Sequence, residues 1–393
     1  MINETMQSLG EEPSAIRELF AYGLARKAEI GEDRVFDFSI GNPSVPTPRA
    51  VSSAIAEAAE APSQQVHAYT PAAGAASART AIADNLNRRF GQGYTSENLY
   101  LTCGAAASLS ISLKALIEPG DEVIVISPFF PEYRIWIEMH GARLVDVPAR
   151  DSDFQIDLPA LHAALNLHTK ALIINTPNNP VGAVYSEQTL RALAQVLADA
   201  SAEFGHPVFL ISDEPYRELV YGGVEVPWVP SIYPNTLVCY SWSKSLSLPG
   251  ERIGYILVPD AVDSSRQVYA AICGAGRALG FVCAPALFQR VIAQCIDEPA
   301  DIAAYERNRR LLTDILDELD FEYIRPDGAF YLWVKSLEPD ENSFAQRAKK
   351  HELLLVPSDS FGMHGWVRLG YCVSEKVIVG SADAFRALRA EYR

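Results

Sequence analysis

A lysine and an arginine eight residues apart, set among serines, form the segment of this chain best suited to chemistry. The segment begins at Ser241, serines lie on both sides of Lys244, and Arg252 follows eight residues after the lysine. A lysine amine condenses with a carbonyl to form a Schiff base, while hydroxyls and an arginine fork bind phosphate. The spacing therefore predicts a site for a phosphorylated aldehyde such as pyridoxal phosphate, with Lys244 catalytic and Ser241, Ser243 and Arg252 as cofactor ligands.

Polar residues also follow other short apolar runs of the sequence. Asp213 comes directly after such a run, with Tyr216 three residues on, and Asn179 lies in the Asn-Thr-Pro-Asn-Asn-Pro segment that follows another. In open α/β sheets, ligands lie beyond the carboxyl ends of the strands. A carboxylate at Asp213 would stabilise a protonated pyridine nitrogen, and Asn179 and Tyr216 would donate hydrogen bonds to the 3-oxygen of the ring.

A third run, Leu99 to Cys103, leads into small residues that open a helical pattern. Gly104, Ala105 and Ala106 leave the backbone N–H groups of a helix N-terminus accessible, and such a terminus binds phosphate. Each motif has an ordinary structural explanation as a cap or a turn. Together they supply different parts of one cofactor, and pyridoxal phosphate is therefore the predicted cofactor, with no metal.

The elements that position these residues are short apolar runs that alternate with helical patterns between about residues 98 and 258. This alternation predicts an α/β fold with a mainly parallel central sheet covered by helices on both faces. One helix is expected after Ser186, which can cap it, and Leu190, Leu193 and Leu197 lie along its buried side. The predicted strands lie near residues 99–102, 123–126, 144–147, 172–174, 208–211 and 237–240.

The pattern changes after about residue 290, where a long amphipathic helix leads through a turn at 325–328 into a strand at 330–334. We expect a smaller α+β domain over 290–393, joined by an N-terminal segment over 1–47, and a large cofactor-binding domain over 48–289. The Pro-rich stretch near Gly41 is typical of a boundary.

The composition limits the classes of partner. Charged residues make up 21% of the 393 residues, hydrophobic residues 49%, and the net charge is −16. An acidic chain of this kind argues against nucleic acid and against an anionic membrane surface. We find no signal segment or membrane span in the sequence, and six scattered cysteines without CxxC spacing indicate neither disulfides nor a zinc site. A cytoplasmic location is the resulting expectation.

Motifs along nearly the whole chain, from about residue 36 to 370, make it resemble the class I/II aminotransferases, which are pyridoxal-phosphate enzymes of fold type I. Order and spacing are preserved for a Tyr-Thr-Pro segment at Tyr69, a Gly-Ala-Ala segment at 104, Pro-Phe-Phe-Pro-Glu-Tyr at 128–133, the Asn-rich segment at 175–182, Asp-Glu-Pro-Tyr at 213–216, the lysine segment at 241–252 and Val-Arg-Leu at 367–369.

The resemblance implies further roles. Lys244 would carry the Schiff base and move the substrate proton, and Phe130 would stack on the pyridine ring. Arg368 would bind the substrate α-carboxylate with help from Asn175 and the backbone of Gly41. Tyr69 would reach the phosphate of the neighbouring subunit's cofactor, which implies a homodimer with shared active sites.

The resemblance also implies an aminotransferase that uses an L-amino acid and a 2-oxo acid in a ping-pong cycle, with glutamate and 2-oxoglutarate as one pair. Aspartate-specific relatives carry a lysine where this chain has Ala106, which argues against aspartate. A cation for a second carboxylate could come from Arg17 or Arg277, although both are equally well explained as surface residues. The alternatives are a carbon–sulfur β-lyase on the same fold and a non-catalytic ligand sensor.

Overall fold

The structure is a computed structural model, and it describes residues 2–11 and 14–392. Its helices are, in chain order, α1 (Glu4–Glu11), α2 (Ala15–Ile30), α3 (Arg49–Glu60), α4 (Ser63–Val66), α5 (Ala76–Phe90), α6 (Ala105–Leu116), α7 (Glu132–Glu138), α8 (Leu158–Ala164), α9 (Glu187–Phe204), α10 (Ser265–Ala278), α11 (Ala286–Cys295), α12 (Ile302–Glu318), α13 (Glu341–Lys350), α14 (Glu375–Gly380) and α15 (Ala382–Ala390).

The strands are β1 (Phe36–Asp37), β2 (Leu99–Thr102), β3 (Glu122–Ser127), β4 (Arg143–Pro148), β5 (Thr169–Asn175), β6 (Phe209–Asp213), β7 (Thr236–Ser241), β8 (Gly254–Leu257), β9 (Tyr323–Ile324), β10 (Tyr331–Lys335), β11 (Leu353–Leu354), β12 (Val356–Pro357) and β13 (Trp366–Gly370). The chain divides into two compact units, one of residues 46–178 and 183–300 and the other of residues 1–45, 179–182 and 301–393.

The larger unit contains a seven-stranded sheet in the order β2-β8-β7-β6-β5-β3-β4. The pairs from β7 through β4 are parallel, whereas β8 runs antiparallel to both of its neighbours. The residues of β3, β6 and β7 are all buried, which explains why these strands appear as continuous apolar runs instead of alternating ones. The predicted α/β fold of type I with a mainly parallel sheet is confirmed.

The helix α9 forms as its sequence predicts. The Ser186 side chain accepts a hydrogen bond from the backbone N–H of Thr189, which caps the helix start. Leu190, Leu193 and Leu197 are all buried, since residues three or four apart share one helix face. The burial of each such leucine stabilises the fold by about 1.5–3 kcal/mol.

The smaller unit contains a four-stranded sheet in the order β12-β13-β10-β9, with antiparallel pairs, and a parallel pair of β1 with β11. Tyr305, Leu312 and Leu316 of α12 are buried along one face. The α11 helix and residues up to 300 belong to the larger unit, because α11 packs on α3 and α5. The domain bounds expected from the sequence stay a prediction.

No helix in residues 2–11 and 14–392 is both long and apolar enough to cross a membrane. The same residues contain no group of three or more His, Cys, Asp or Glu side chains arranged to hold a metal ion.

Candidate active site

Four segments meet at one edge of the large sheet. The residue pairs Thr102 with Gly254 and Ser241 with Gly254 lie in register where β2 and β7 end and the antiparallel β8 begins. Two strands farther along, Asn175 at the end of β5 pairs with Asp213 at the end of β6. The sequence pattern placed candidate residues after these strands, and the topology brings those strand ends to a common edge.

Asp213 is a buried carboxylate with one oxygen left over. Its Oδ2 accepts a hydrogen bond of 2.5 Å from the Tyr133 hydroxyl, and Asn175 Nδ2 donates to the Asp213 carbonyl at 2.8 Å. Within the described residues, Oδ1 is buried and has no hydrogen-bond partner. Burial raises the pKa of Asp213 to about 7, the hydrogen bond from Tyr133 lowers it, and the Glu214 carboxylate raises it.

The start of α6 forms a cradle with the residues around Arg252. Gly104 precedes the helix with φ of +86°, and an added Cβ there would lie 2.8 Å from Arg252 Nη2 and 3.1 Å from its Cζ. A Cβ on Gly254 would lie 3.0 Å from the Gly104 Cα. Only glycine fits such close approach. Ala105 and Ala106 are half-buried beside it, so backbone N–H groups and a guanidinium lie close together, as an anion requires.

Lys244 lies in the turn that follows β7. Its Nζ is 6.0 Å from the centre of the Tyr216 ring, which is itself buried after β6. Ser241 and Ser243 are buried on the same segment, and the Ser241 hydroxyl donates to the Ser243 hydroxyl at 3.1 Å. The lysine is therefore held between two strand ends of the same sheet edge.

The remaining residues predicted for the site differ in how exposed they are. Phe130 is half-buried, and its ring meets Tyr133 edge-on at 5.8 Å between centroids. The Tyr69 side chain is 92% exposed in the single chain. Arg17 and Arg277 are also exposed.

The smaller unit contains a second candidate site, around Arg368 of β13. This residue is 1% exposed, and its Nη1 donates to Asn179 Oδ1 at 3.0 Å while its Nη2 donates to the Ser39 carbonyl at 2.6 Å. Its guanidinium lies 4.5 Å from the Tyr331 ring centre and 5.1 Å from that of Phe361. Among residues 2–11 and 14–392, no carboxylate pairs with Arg368, and its Nε has no hydrogen-bond partner.

A buried guanidinium without a counter-charge costs several kcal/mol of desolvation. Such a group is a ready carboxylate receptor, because it offers a planar fork that stays charged. Gly41 lies against Tyr331, the residue whose ring faces the guanidinium, since an added Cβ on Gly41 would be 3.0 Å from Tyr331 Cζ.

Asn175 and Asn179 make hydrogen bonds that the sequence did not indicate. Asn175 donates to the Asp213 carbonyl, and Asn179 accepts from Arg368. Their expected roles, substrate for Asn175 and cofactor for Asn179, stay predictions.

Three contributors were missed by the sequence reasoning. Tyr133 was recognised within a motif but not as the partner of Asp213, and neither the Ser39 carbonyl nor Tyr331 was expected beside Arg368. The position of Tyr133, a few residues after β3 on the same sheet edge, was the one available signal. Carbonyl groups and ring stacking leave no comparable trace in a sequence.

The larger unit fits pyridoxal phosphate. The Asp213 Oδ1 needs a donor, which a pyridinium N–H would supply, and the start of α6 brings backbone N–H groups close to the Arg252 guanidinium, a combination that suits a phosphate. Lys244 and Tyr216 add the amine and the phenol that such a cofactor requires.

Comparison with known proteins gives consistent matches. The family model for aminotransferase class I and II matches residues 33–384. The chain is 31% identical over 379 residues to the aspartate/prephenate aminotransferase of Thermus thermophilus, covering 95% of each chain. It is 28% identical over 392 residues to aromatic-amino-acid aminotransferase 2 of Thermococcus litoralis, covering 96% of each. A crystal structure of an aminotransferase from Eubacterium rectale superposes with a TM-score of 0.97 at 52% identity, over 100% of this chain and 99% of the other.

Proposed function

The chain belongs to the class I and II aminotransferase family, and we propose that it moves the α-amino group of an L-amino acid to a 2-oxo acid, with glutamate and 2-oxoglutarate as one substrate pair. It is a pyridoxal-phosphate-dependent transaminase. The observation that supports the assignment of residues most directly is the buried Asp213 Oδ1 without a donor, one strand away from the strand that leads to Lys244.

Lys244 is the proposed catalytic residue. When bound, pyridoxal phosphate supplies an aldehyde for amino groups and a ring that accepts electrons. The Lys244 Nζ would hold the cofactor until a substrate takes its place, and the freed amine would then move the proton at the substrate Cα. A lysine has an ordinary pKa of about 10.4, so a base near neutral pH needs cationic neighbours. Arg252 is the cationic residue nearest to it in the sequence.

The other proposed cofactor ligands are assigned to the part of the cofactor that their chemistry suits. The phosphate is assigned to the Gly104 cradle with Ser241, Ser243 and Arg252, because these residues combine backbone N–H groups, hydroxyls and a guanidinium. The 3-oxygen of the ring is assigned to Tyr216 and Asn179, and one face of the ring to Phe130. Asp213 keeps the pyridine nitrogen protonated, since a buried carboxylate favours the cation beside it.

Arg368 is the proposed receptor for the substrate α-carboxylate. The support is its burial without a carboxylate partner in the described residues and the fixed geometry that Asn179 and Ser39 give it. Asn175 and the backbone of Gly41 complete the proposed carboxylate contacts. That Arg368 and Lys244 act on one substrate molecule is part of the proposal.

We also propose that the amino acid of the second substrate pair is not aspartate. Ala106 offers no charge at the start of α6 for a distal carboxylate. The relative from Thermococcus litoralis is named for aromatic amino acids, whereas the one from Thermus thermophilus is named for aspartate or prephenate; the proposal follows Ala106 and the former. An amino acid with an aromatic or apolar side chain is therefore the proposed partner of glutamate.

The assembly is proposed to be a homodimer in the cytoplasm. The exposed Tyr69 would reach the cofactor phosphate of the second subunit. Mixing Lys244→Ala and Tyr69→Phe variants would then restore up to about one quarter of the activity of the wild-type enzyme, because one of the two sites in a mixed dimer would be intact. Sedimentation as a monomer, or no gain on mixing, would contradict the shared site.

The test of the function is a set of half-reactions with defined substrates. Without an acceptor, the holoenzyme should convert only about one equivalent of L-glutamate per active site to 2-oxoglutarate. Repeated turnover should require a 2-oxo acid acceptor, and phenylpyruvate should be a better acceptor than oxaloacetate. Lys244→Ala should abolish turnover, whereas Lys350→Ala, which changes an exposed lysine of α13, should leave it unchanged. Turnover by Lys244→Ala equal to that of the wild type would refute the assignment.

A further inference from the structure

The larger unit contains a cavity that is separate from the candidate active site, and Lys244 does not line it. Its volume is about 350 Å³, and its lining comes from α5, the segment after β6, β7, the turn after β7, β8 and the segment after α11. This volume lies in the range of small-molecule sites. The transamination proposed above uses none of its side chains.

Aromatic side chains form one wall of this cavity. The rings of Tyr240, Trp242 and Tyr255 lie 5.1–5.6 Å apart between centroids. Trp242 and Tyr255 are each 4% exposed and line the cavity. In the part of the chain that the structure describes, Trp242 Nε1 and Tyr255 Oη make no hydrogen bond. Both residues line the cavity, so each group can donate a hydrogen bond to an acceptor on a ligand bound there.

The charged groups of the cavity are unevenly satisfied. Arg89 Nη1 lies 3.0 Å from Glu218 Oε1, and Glu218 Oε2 accepts from the Tyr240 hydroxyl at 2.9 Å. Asp297 is held by Asn85 Nδ2 at 2.7 Å and by an exposed arginine of α5. The Glu298 carboxylate, in contrast, has neither a hydrogen bond nor an ion pair with any residue in 2–11 and 14–392. The cavity thus has one unpaired carboxylate and two unpaired neutral donors.

These groups match the two ends of a free amino acid. We propose that the cavity binds a free amino acid with an apolar side chain, whose ammonium pairs with Glu298 and whose carboxylate accepts from Tyr255 Oη and Trp242 Nε1. The side chain would lie against Ile82 and Leu246, which complete the apolar lining. An ammonium ion alone would leave both donors unsatisfied, and a carboxylate alone would leave Glu298 unpaired.

The position of the cavity connects its occupant to the catalytic turn. The Tyr240 hydroxyl lies 3.0 Å from the hydroxyl of Ser245, the residue that follows Lys244, and both residues line the cavity. An amino acid bound there would contact the segment that carries the catalytic lysine, on a site separate from the one where substrate reacts.

The test is a calorimetric titration with L-phenylalanine. The holoenzyme is first treated with borohydride, which fixes the cofactor to Lys244 and prevents reaction at that site. We expect a binding event that Glu298→Gln and Tyr255→Phe each weaken about tenfold, the effect of losing about 1.4 kcal/mol of interaction, and that Arg368→Met leaves unchanged. Glu203→Gln, an exposed change on α9 outside the cavity, should leave the dissociation constant unchanged. Unchanged transamination rates of both cavity variants would show that they are folded.

Matched ligands test both ends of the molecule. The compound 3-phenylpropionate lacks the ammonium group and 2-phenylethylamine lacks the carboxylate, and each should bind at least about tenfold more weakly than L-phenylalanine. The proposal is overturned if no heat of binding is observed, if both cavity variants bind like the wild type, or if either truncated ligand binds as tightly. The titration does not depend on turnover, so failure here leaves the proposed transamination untouched, and the reverse also holds.

Discussion

The hydroxyl of Tyr133 lies 2.5 Å from Oδ2 of Asp213, and both side chains are buried. This contact occupies one carboxylate oxygen and leaves Oδ1 without a partner in the described residues. Tyr133 therefore orients the carboxylate and determines which oxygen is available to a cofactor. Burial and the adjoining Asp213 carboxylate raise the pKa of Tyr133 well above its usual range, so the phenol stays a donor.

We expect Tyr133→Phe to lower kcat/KM about tenfold, because an interaction of about 1.4 kcal/mol with a charged group is lost. The hydrogen bond lowers the pKa of Asp213, so its removal raises that pKa, and the acid limb of the pH–activity profile should move to higher pH because the carboxylate forms only at higher pH. The matched control is Tyr323→Phe, which removes an exposed contact of 2.9 Å to Asp317. Equal kcat/KM values for both variants would refute the role of Tyr133.

The buried Asp213 should make the cofactor-free protein less stable as the pH rises. Its folded pKa of about 7 lies above the unfolded value near 3.8, so the folded state binds more protons between these values. The contribution of Asp213 to the free energy of unfolding is therefore fully present below about pH 4 and is lost as the pH rises towards 7. Asp213→Asn should remove this part of the slope, as measured by urea unfolding at several pH values. An identical slope in the variant would contradict the assignment.

Arg368→Met should separate stability from activity. The change removes a buried charge that no carboxylate among the described residues compensates, so the melting temperature should stay equal or rise. Transamination should fall about a hundredfold or more in kcat/KM, because loss of one partner of a buried charge pair costs about 2–5 kcal/mol. Arg386→Met, at an exposed ion pair of α15, serves as the control. Retained kcat/KM in Arg368→Met would rule out the proposed carboxylate contact.

Gly104→Ala should weaken binding of the cofactor. The φ of +86° disfavours any side chain, and the new Cβ would lie 2.8 Å from Arg252 Nη2. Either effect displaces Arg252 or the start of α6, and we expect the dissociation constant for pyridoxal phosphate to rise about tenfold. Gly250→Ala, where an added Cβ has open space, should bind the cofactor normally. Spectroscopic titration of the two cofactor-free variants makes the comparison.

The sequence predicted the sheet edge because buried parallel strands are continuous apolar runs and their ends carry the ligands. Asp213, Asn175 and Gly104 were found in this way: the first two are the last residues of their strands, and Gly104 lies two residues after β2. The direction of β8 was not predictable from apolar content, since hydrophobic burial is the same for either orientation. The antiparallel β8 matters to the site because it brings Gly254 and Arg252 against Gly104.

Contacts between residues far apart in the chain were harder to anticipate. Tyr133 and Asp213 are separated by 80 positions, and Arg368 and Asn179 by 189. Residue types alone show that a buried arginine needs hydrogen-bond acceptors. They do not show which acceptor it takes, and Asn179, which accepts from Arg368, was predicted from the sequence as a donor to the 3-oxygen of the cofactor ring. Which partner a side chain meets depends on the course of the backbone in the folded protein, and the sequence pattern does not specify that course.

The most direct test of the account is the absorption spectrum of the purified holoenzyme during a stepwise titration. The visible band of the cofactor attached to Lys244 should bleach on addition of L-glutamate and return on addition of 2-oxoglutarate, with no pyruvate released from a cysteine conjugate. Lys244→Ala should lack the band of the wild-type protein. A wild-type protein that shows no such band after incubation with pyridoxal phosphate, or one whose band persists while pyruvate accumulates, would contradict transamination at Lys244.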